Sequence, residues 1–213
     1  MRIAIVTEHY PTMRTSAAIQ MCDLAKEFLR QGHTPVVITA SANKNVPFEE
    51  DFLDGIPVLR LAGWKPYNNK NLVLRTLSEF LLPFIMILKL HKTNFNKERW
   101  DLILWYSPSI FFGPLIFKMK KSARCKTYLI LRDIFPEWAL DLGLIRKGLT
   151  YSFFKLIANF QYSVADTIGV QTQSNLTYLK DWANEPNRKL QVLQNWQSPT
   201  INIGSSINID NTS

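Results

Sequence analysis

Short runs of β-branched and aliphatic residues recur along this chain, separated by stretches of a different period. "RIAIVT" (2–7) is apolar at nearly every position, as strands are when a parallel sheet is covered on both faces. After the loop "EHYPTMRTS" comes "AAIQMCDLAKEFLRQG", where Ile19, Cys22, Leu24, Ala25, Phe28 and Leu29 follow helical spacing. Ser16 can cap that helix and Gly32 stops it. "TPVVITA" (34–40) and "GIPVLRLA" (55–62) read as the next two strands. Strand, helix and strand in this rhythm make a right-handed βαβ unit and commit the chain to a parallel sheet.

The rhythm continues to residue 196. An apolar helix over 71–92 leads to the strand "WDLILWYSP" (100–108), and the helix "SIFFGPLIFKMKKSA" to the strand "CKTYLILRD" (125–133). A short helix "PEWALDLG", a long amphipathic helix (149–166), the strand "TIGVQTQ" (167–173), a capped helix "SNLTYLKDWA" and the strand "KLQVLQNW" (189–196) complete it. The sum is one doubly wound, mostly parallel, Rossmann-like α/β domain of about seven strands over residues 1–197. Residues 198–213, rich in Ser, Asn, Ile and Thr without a core period, read as a linker or disordered tail.

In such sheets ligands bind outside the carboxyl ends of the strands, at the topological switch point. Arg132 and Asp133 lie at one such end and Glu8, His9 and Tyr10 at another. Asp133 is placed to take a proton, although a cap or turn before Pro136 suits an aspartate equally. Arg132 can hold a phosphate or the neighbouring carboxylate. Arg14, Thr15 and Ser16 precede a helix whose first amides attract anions. Glu137, four before Asp141, fits either a site acid or a first-turn helix acid. His9 taken alone reads as a hydrogen-bonded structural residue.

Other signals bound the partners. The chain is 213 residues long with a net charge of +8, which calls for an anionic neighbour: nucleic acid, an anionic membrane or a phosphorylated substrate. Neither a GxGxxG nor a GxxxxGK[ST] pattern occurs, which disfavours dinucleotide binding and P-loop chemistry. Cys22 and Cys125 stand far apart, so neither a disulfide scaffold nor a structural zinc is expected, and a reducing compartment fits. The N-terminus lacks a signal-peptide pattern, and a cytoplasmic location is the default expectation.

The segment 71–92 has "FLLPFIMIL" as its longest uncharged apolar stretch, short of the ~20 residues that span a bilayer. It is expected to lie on a membrane rather than cross one. The basic set "KMKKSARCK" (118–126) holds five cations and no acid, and it lacks the interleaved aromatics of single-strand nucleic-acid binders. Nucleic acid is therefore set aside. Phe84, Lys89, Lys92, Lys118, Lys120 and Lys121 form the expected contact set for an anionic membrane surface.

"MRIAIVTEHYPT", "LAKEFLRQGHTPVVIT", "GIPVLRL", "LRDIFPEWALDLGL", "VQTQSNLTYL" and "VLQNW", in this order, resemble the N-terminal half of a GT-B glycosyltransferase of family 4. The likeness is to the WbuB-like bacterial enzymes that build capsule, O-antigen or colanic-acid-type polysaccharide. It implies an acceptor-binding N-terminal domain, a nucleotide-sugar donor held by a C-terminal domain, a polyprenyl-diphosphate-linked glycan acceptor, and neither metal nor cofactor. Where the family commonly has paired glycines in the first loop, this chain has Thr15, Ser16 and Ala17; where it commonly has His-Asp at a strand tip, this chain has Arg132 and Asp133.

By that likeness Asp133 is the catalytic residue, and Glu8, His9, Tyr10, Arg14, Thr15, Ser16, Arg132 and Glu137 surround the acceptor. The family's E-x7-E signature belongs to its second domain, and no glutamate pair of that spacing follows Gln171. The expectation is half an enzyme, inactive alone, peripheral on the inner face of the cytoplasmic membrane. The alternative is a non-catalytic acceptor-binding or membrane-docking domain that works with a partner chain.

Overall fold

The computed structural model describes residues 1–41, 43, 45–63, 72–107 and 109–196, with the backbone alone at 72 and 73. The expected tail at 198–213 lies outside the described residues. Among them the chain forms eight strands: β1 (Arg2–Thr7), β2 (Thr34–Ser41), β3 (Phe48–Leu53), β4 (Ile56–Ala62), β5 (Leu102–Ser107), β6 (Lys126–Leu131), β7 (Thr167–Val170) and β8 (Lys189–Val192). The helices are α1 (Ser16–Arg30), α2 (Leu72–Leu90), α3 (Gly113–Ala123), α4 (Glu137–Asp141), α5 (Leu149–Val164) and α6 (Lys180–Ala183).

One sheet holds all eight strands in the order β3-β4-β2-β1-β5-β6-β7-β8, parallel except for the β3–β4 pair. The chain builds outward from β1 to β2 and β4, then returns to the other side of β1 for β5 through β8. The switch point is therefore between β1 and β5.

Strand faces alternate, so each strand feeds two cores. Ile3, Ile5, Val37 and Val58 pack under α1 through Ala17, Met21 and Ala25. Ala4, Val6, Trp105 and Leu129 pack on the opposite face, under Met86 of α2, Leu115 of α3 and Ala158 of α5. Gly113 opens α3 where α5 passes closest: a Cβ there would lie 2.9 Å from Phe160 Cδ1 and 3.1 Å from Gln161 Cα.

Three local expectations need correction. The sheet has an eighth strand, β3, which the charged "FEEDFL" conceals because it is an edge strand with Glu50, Asp51 and Phe52 in solvent. Asp54 and Gly55, at φ +51° and +80°, close the two-residue hairpin between Leu53 and Ile56. The α1 cap is Thr15, not Ser16: Thr15 is extended and its Oγ1 accepts from the Ala18 amide at 3.2 Å. The segment "SNLTYLKDWA" is mostly a 3₁₀ turn (Ser174–Leu179) with only four α-helical residues after it. Its hydroxyls compete for the backbone there, Thr177 Oγ1 donating to the Ser174 carbonyl at 2.7 Å.

Candidate active site at the carboxyl edge of the sheet

Register assembles this edge. Tyr106 pairs with Ile130 and Leu131 with Val170, so Arg132 and Gln171 emerge side by side one residue beyond the sheet. After β8 the chain turns back across the strand ends, and the Trp196 indole donates to the Gln20 carbonyl of α1 at 3.1 Å. A cavity of about 470 Å³ results, lined by Ser16 and Gln20 of α1, Tyr106, Arg132, Asp133, Gln171 and Asn195.

Arg132 organises one wall. It is only 8% exposed, its Nη1 donates to the Leu193 carbonyl at 2.6 Å, and its guanidinium stacks over the Trp196 ring at 5.1 Å. Nε and Nη2 are buried without a hydrogen-bond partner. These two donors share one edge of the guanidinium beside the Tyr106 phenol, an edge of the kind that can take an oxyanion through parallel bonds once one is within reach. Burial lowers the pKa of Arg132, and the neighbouring Tyr106 phenol acts in the opposite sense. The guanidinium remains charged, and that charge has lost part of its water without a carboxylate in compensation.

Asp133 is exposed toward the cavity, and the protein around its carboxyl still raises its pKa by desolvation. A carboxylate with raised pKa, facing a cavity, is a stronger proton acceptor than an ordinary surface aspartate. Glu8 is the second perturbed acid of this edge. It is buried at the end of β1, and its pKa is pushed up to about 7, by burial first and then by the charge of Glu79, against a smaller opposing effect of Arg75.

The remaining expected residues separate. Ser16, Arg132 and Asp133 share the cavity. Thr15 is the helix cap and Arg14 is exposed before it. His9 sits in the loop with its Nδ1 3.2 Å from the Met13 sulfur, and burial lowers its pKa, so it is neutral at pH 7. Tyr10 is turned into the core beside Met21 and Cys22 and is 1% exposed, too enclosed to meet a ligand in this conformation. Glu137 is buried against α5 in an ion pair with Lys155 and does not line the cavity.

The expected membrane set divides too. Phe84, Lys92, Lys118 and Lys121 are exposed. Lys89 donates to the Ala62 carbonyl at 2.7 Å, and Lys120 to the Val164 carbonyl and to Asp166, each at 3.0 Å. Both are thus tied to internal partners. Among the described residues no helix is long and apolar enough to cross a membrane, and no group of His, Cys, Asp and Glu is arranged to hold a metal ion.

Gln20, Tyr106, Gln171 and Asn195 are cavity residues that residue-by-residue reading passed over. Three of them follow or end strands, where the carboxyl-edge rule applied to every strand would have found them.

Neither a family model nor a curated protein matches the sequence. Solved structures do match in shape. Sucrose-phosphate synthase from Thermosynechococcus elongatus superposes with a TM-score of 0.58 at 13% identity, over 89% of this chain and 47% of that one. The fold is that of a GT-B glycosyltransferase domain. The E. coli trehalose-6-phosphate protein solved with UDP-2-fluoro glucose gives 0.56 at 13% identity, over 85% of this chain and 42% of that one. The catalytic domain of starch synthase IV from Arabidopsis thaliana, solved with ADP and acarbose, gives 0.53 at 11% identity, over 91% and 51%. The chain spans about half the length of these GT-B proteins.

Proposed function

We propose that this chain is the acceptor-side half of a nucleotide-sugar-dependent glycosyltransferase. In this reading Asp133 takes the proton of the attacking acceptor hydroxyl, and the free edge of Arg132 holds an oxyanion of the ligand beside it. The donor is a nucleotide sugar held by a second α/β domain. The acceptor is a polyprenyl-diphosphate-linked glycan of the kind that family 4 enzymes extend in bacterial capsule and O-antigen synthesis, at the inner face of the cytoplasmic membrane. The observation that carries the reading is the pairing of a buried, half-unsatisfied arginine with a perturbed aspartate in a cavity at the switch point. The shared fold of sugar-transferring enzymes, two of them solved with a nucleotide or a nucleotide-sugar analogue, supports it.

The test is transfer itself. The chain joined to its donor-binding half, given UDP- and GDP-sugars and a polyprenyl-diphosphate glycan, should lengthen the glycan by one sugar. The chain alone should not. No transfer from any common nucleotide sugar by the joined protein, or transfer by the chain alone above a no-protein control, contradicts this division of labour.

A further inference from the structure

Helices α2, α3 and α5 lie side by side over one face of the sheet, and their outer surface is not polar. On α2, Leu74, Leu77, Phe84 and Leu88 recur at helical spacing and are all exposed. On α5, Leu149, Phe153, Leu156 and Phe160 do the same, with Leu156 70% exposed and Leu149 93%. The two stripes meet: the Phe80 and Phe153 rings are 6.3 Å apart, and between them a groove of about 360 Å³ is lined only by apolar side chains. These helices already cover the core on their inner side, so the outer stripes are surplus to folding. Exposed apolar area on this scale marks a contact with something else.

Charge says what. The three helices contain six cations; Arg75, Lys120 and Lys155 are paired with Glu79, Asp166 and Glu137, and Lys89 donates to the Ala62 carbonyl, which leaves Lys118 and Lys121 on the outer side of α3. At the end of α3 a second cavity of about 630 Å³ gathers Lys121, Arg124 and Lys126 beside Phe117, with Lys120 and Asp166 already paired to each other. Lys118, Lys121, Arg124 and Lys126 are exposed, and no ion pair engages them among the described residues. Phe117 joins this cavity to the apolar face, since its ring lies 6.2 Å from that of Phe160 in the groove. Apolar stripes bordered by unpaired lysines and arginines match the layering of an anionic bilayer, acyl chains beneath phosphates. The core of a protein–protein interface is instead depleted of lysine.

The geometry points to the outer face of α2, α3 and α5 as a docking surface for an anionic phospholipid bilayer, with the apolar stripes entering the acyl boundary and the α3 cavity receiving headgroup phosphates. This surface differs from the one expected from the sequence: it enlists α5, and it omits Lys89 and Lys120. It does not depend on the transferase reading, because binding is measured without turnover.

The experiment is flotation of the 213-residue chain with phosphatidylcholine vesicles, with and without about one third phosphatidylglycerol. Binding is expected to the anionic vesicles, and raising salt to 1 M should weaken it as the Debye length shrinks to about 3 Å. Each cation near such a surface contributes about a fivefold factor in partitioning, so Lys118→Gln with Lys121→Gln should lower it roughly 25-fold. Leu156→Asp, at a position outside the core, should abolish flotation without altering the far-ultraviolet dichroism. Free inorganic phosphate at millimolar concentration should not compete appreciably. Four results would overturn the proposal: no flotation with anionic vesicles, equal flotation with both kinds, full competition by free phosphate, or a concentration-dependent dimer that Leu156→Asp dissolves while vesicle binding persists. The last would assign the face to a second copy of the chain.

Discussion

At the carboxyl edge of the sheet Arg132 is buried, stacked on Trp196 and left with two unpartnered donors, whereas at the amino edge Lys121, Arg124 and Lys126 stand in solvent. The two ends carry the same sign of charge in opposite states. A buried guanidinium has exchanged water for a fixed environment, and of the acceptors that could meet its free edge an oxyanion binds most strongly. Exposed ammonium groups keep their hydration and act additively on a diffuse field that salt screens. The difference is the one expected if discrete recognition belongs to one end and surface attraction to the other, as proposed above. The acids follow the same division. Glu8 and Asp133 at the carboxyl edge are raised by burial, while Asp166 at the amino edge is lowered, because its hydrogen bonds from Thr127 and Lys120 together outweigh its desolvation.

If the carboxyl edge holds desolvated acids at a cost in stability, neutralising one should stabilise the fold. Glu8 has its pKa raised from 4.5 to about 7, so the folded state keeps its proton where the unfolded chain has lost it. The stability this group contributes is therefore complete below about pH 4.5 and is lost as pH rises to about 7. Glu8→Gln should be neutral at pH 4 and stabilising by roughly 3 kcal/mol at pH 8, read as urea midpoints at the two values. Equal midpoint changes at both pH values would remove Glu8 from the comparison.

A smaller effect comes from Gly169, in the strand beside Arg132. A Cβ there would collide with the Tyr128 hydroxyl and come within 3.0 Å of Leu193 Cβ, the residue whose carbonyl anchors Arg132. Gly169→Ala should destabilise by about 1–3 kcal/mol through overpacking, seen as a lowered Tm. An unchanged Tm would mean that the segment 193–196 shifts freely and does not hold the arginine in place.

The legible parts of this molecule were those set by local period. The runs "RIAIVT" and "YLILRD" announce buried strands, and the abrupt change from Leu131 to Arg132 and Asp133 marks a strand tip. The β3–β4 hairpin was legible in principle, through Asp54-Gly55, but the acidic edge strand has no apolar period to draw attention to it. The cavity wall was not legible. It depends on Trp196 meeting Gln20 across 176 positions of sequence, a closure that no local pattern encodes. Nor could periodicity say that Phe153, Leu156 and Phe160 face outward, because a helix apolar on two sides does not reveal which side is covered. Tyr10 shows the converse: it follows a strand tip, yet its ring turns back into the core.

The central claim is that the carboxyl edge does the chemistry through Asp133, and Asp133→Asn tests it most directly in the joined protein of the transfer assay proposed above. Proton transfer by a positioned side chain contributes typically ~10²–10⁴-fold, so kcat should fall by that factor. Because desolvation raises the pKa of this carboxyl, the neutral amide relieves a burial penalty, and Tm at pH 7 should hold or rise. The wild-type protein should also lose turnover as pH falls through a value above that of an ordinary aspartate, a limb the variant lacks. Near wild-type turnover in Asp133→Asn, or a loss of turnover matched by a fall in Tm, would contradict the account.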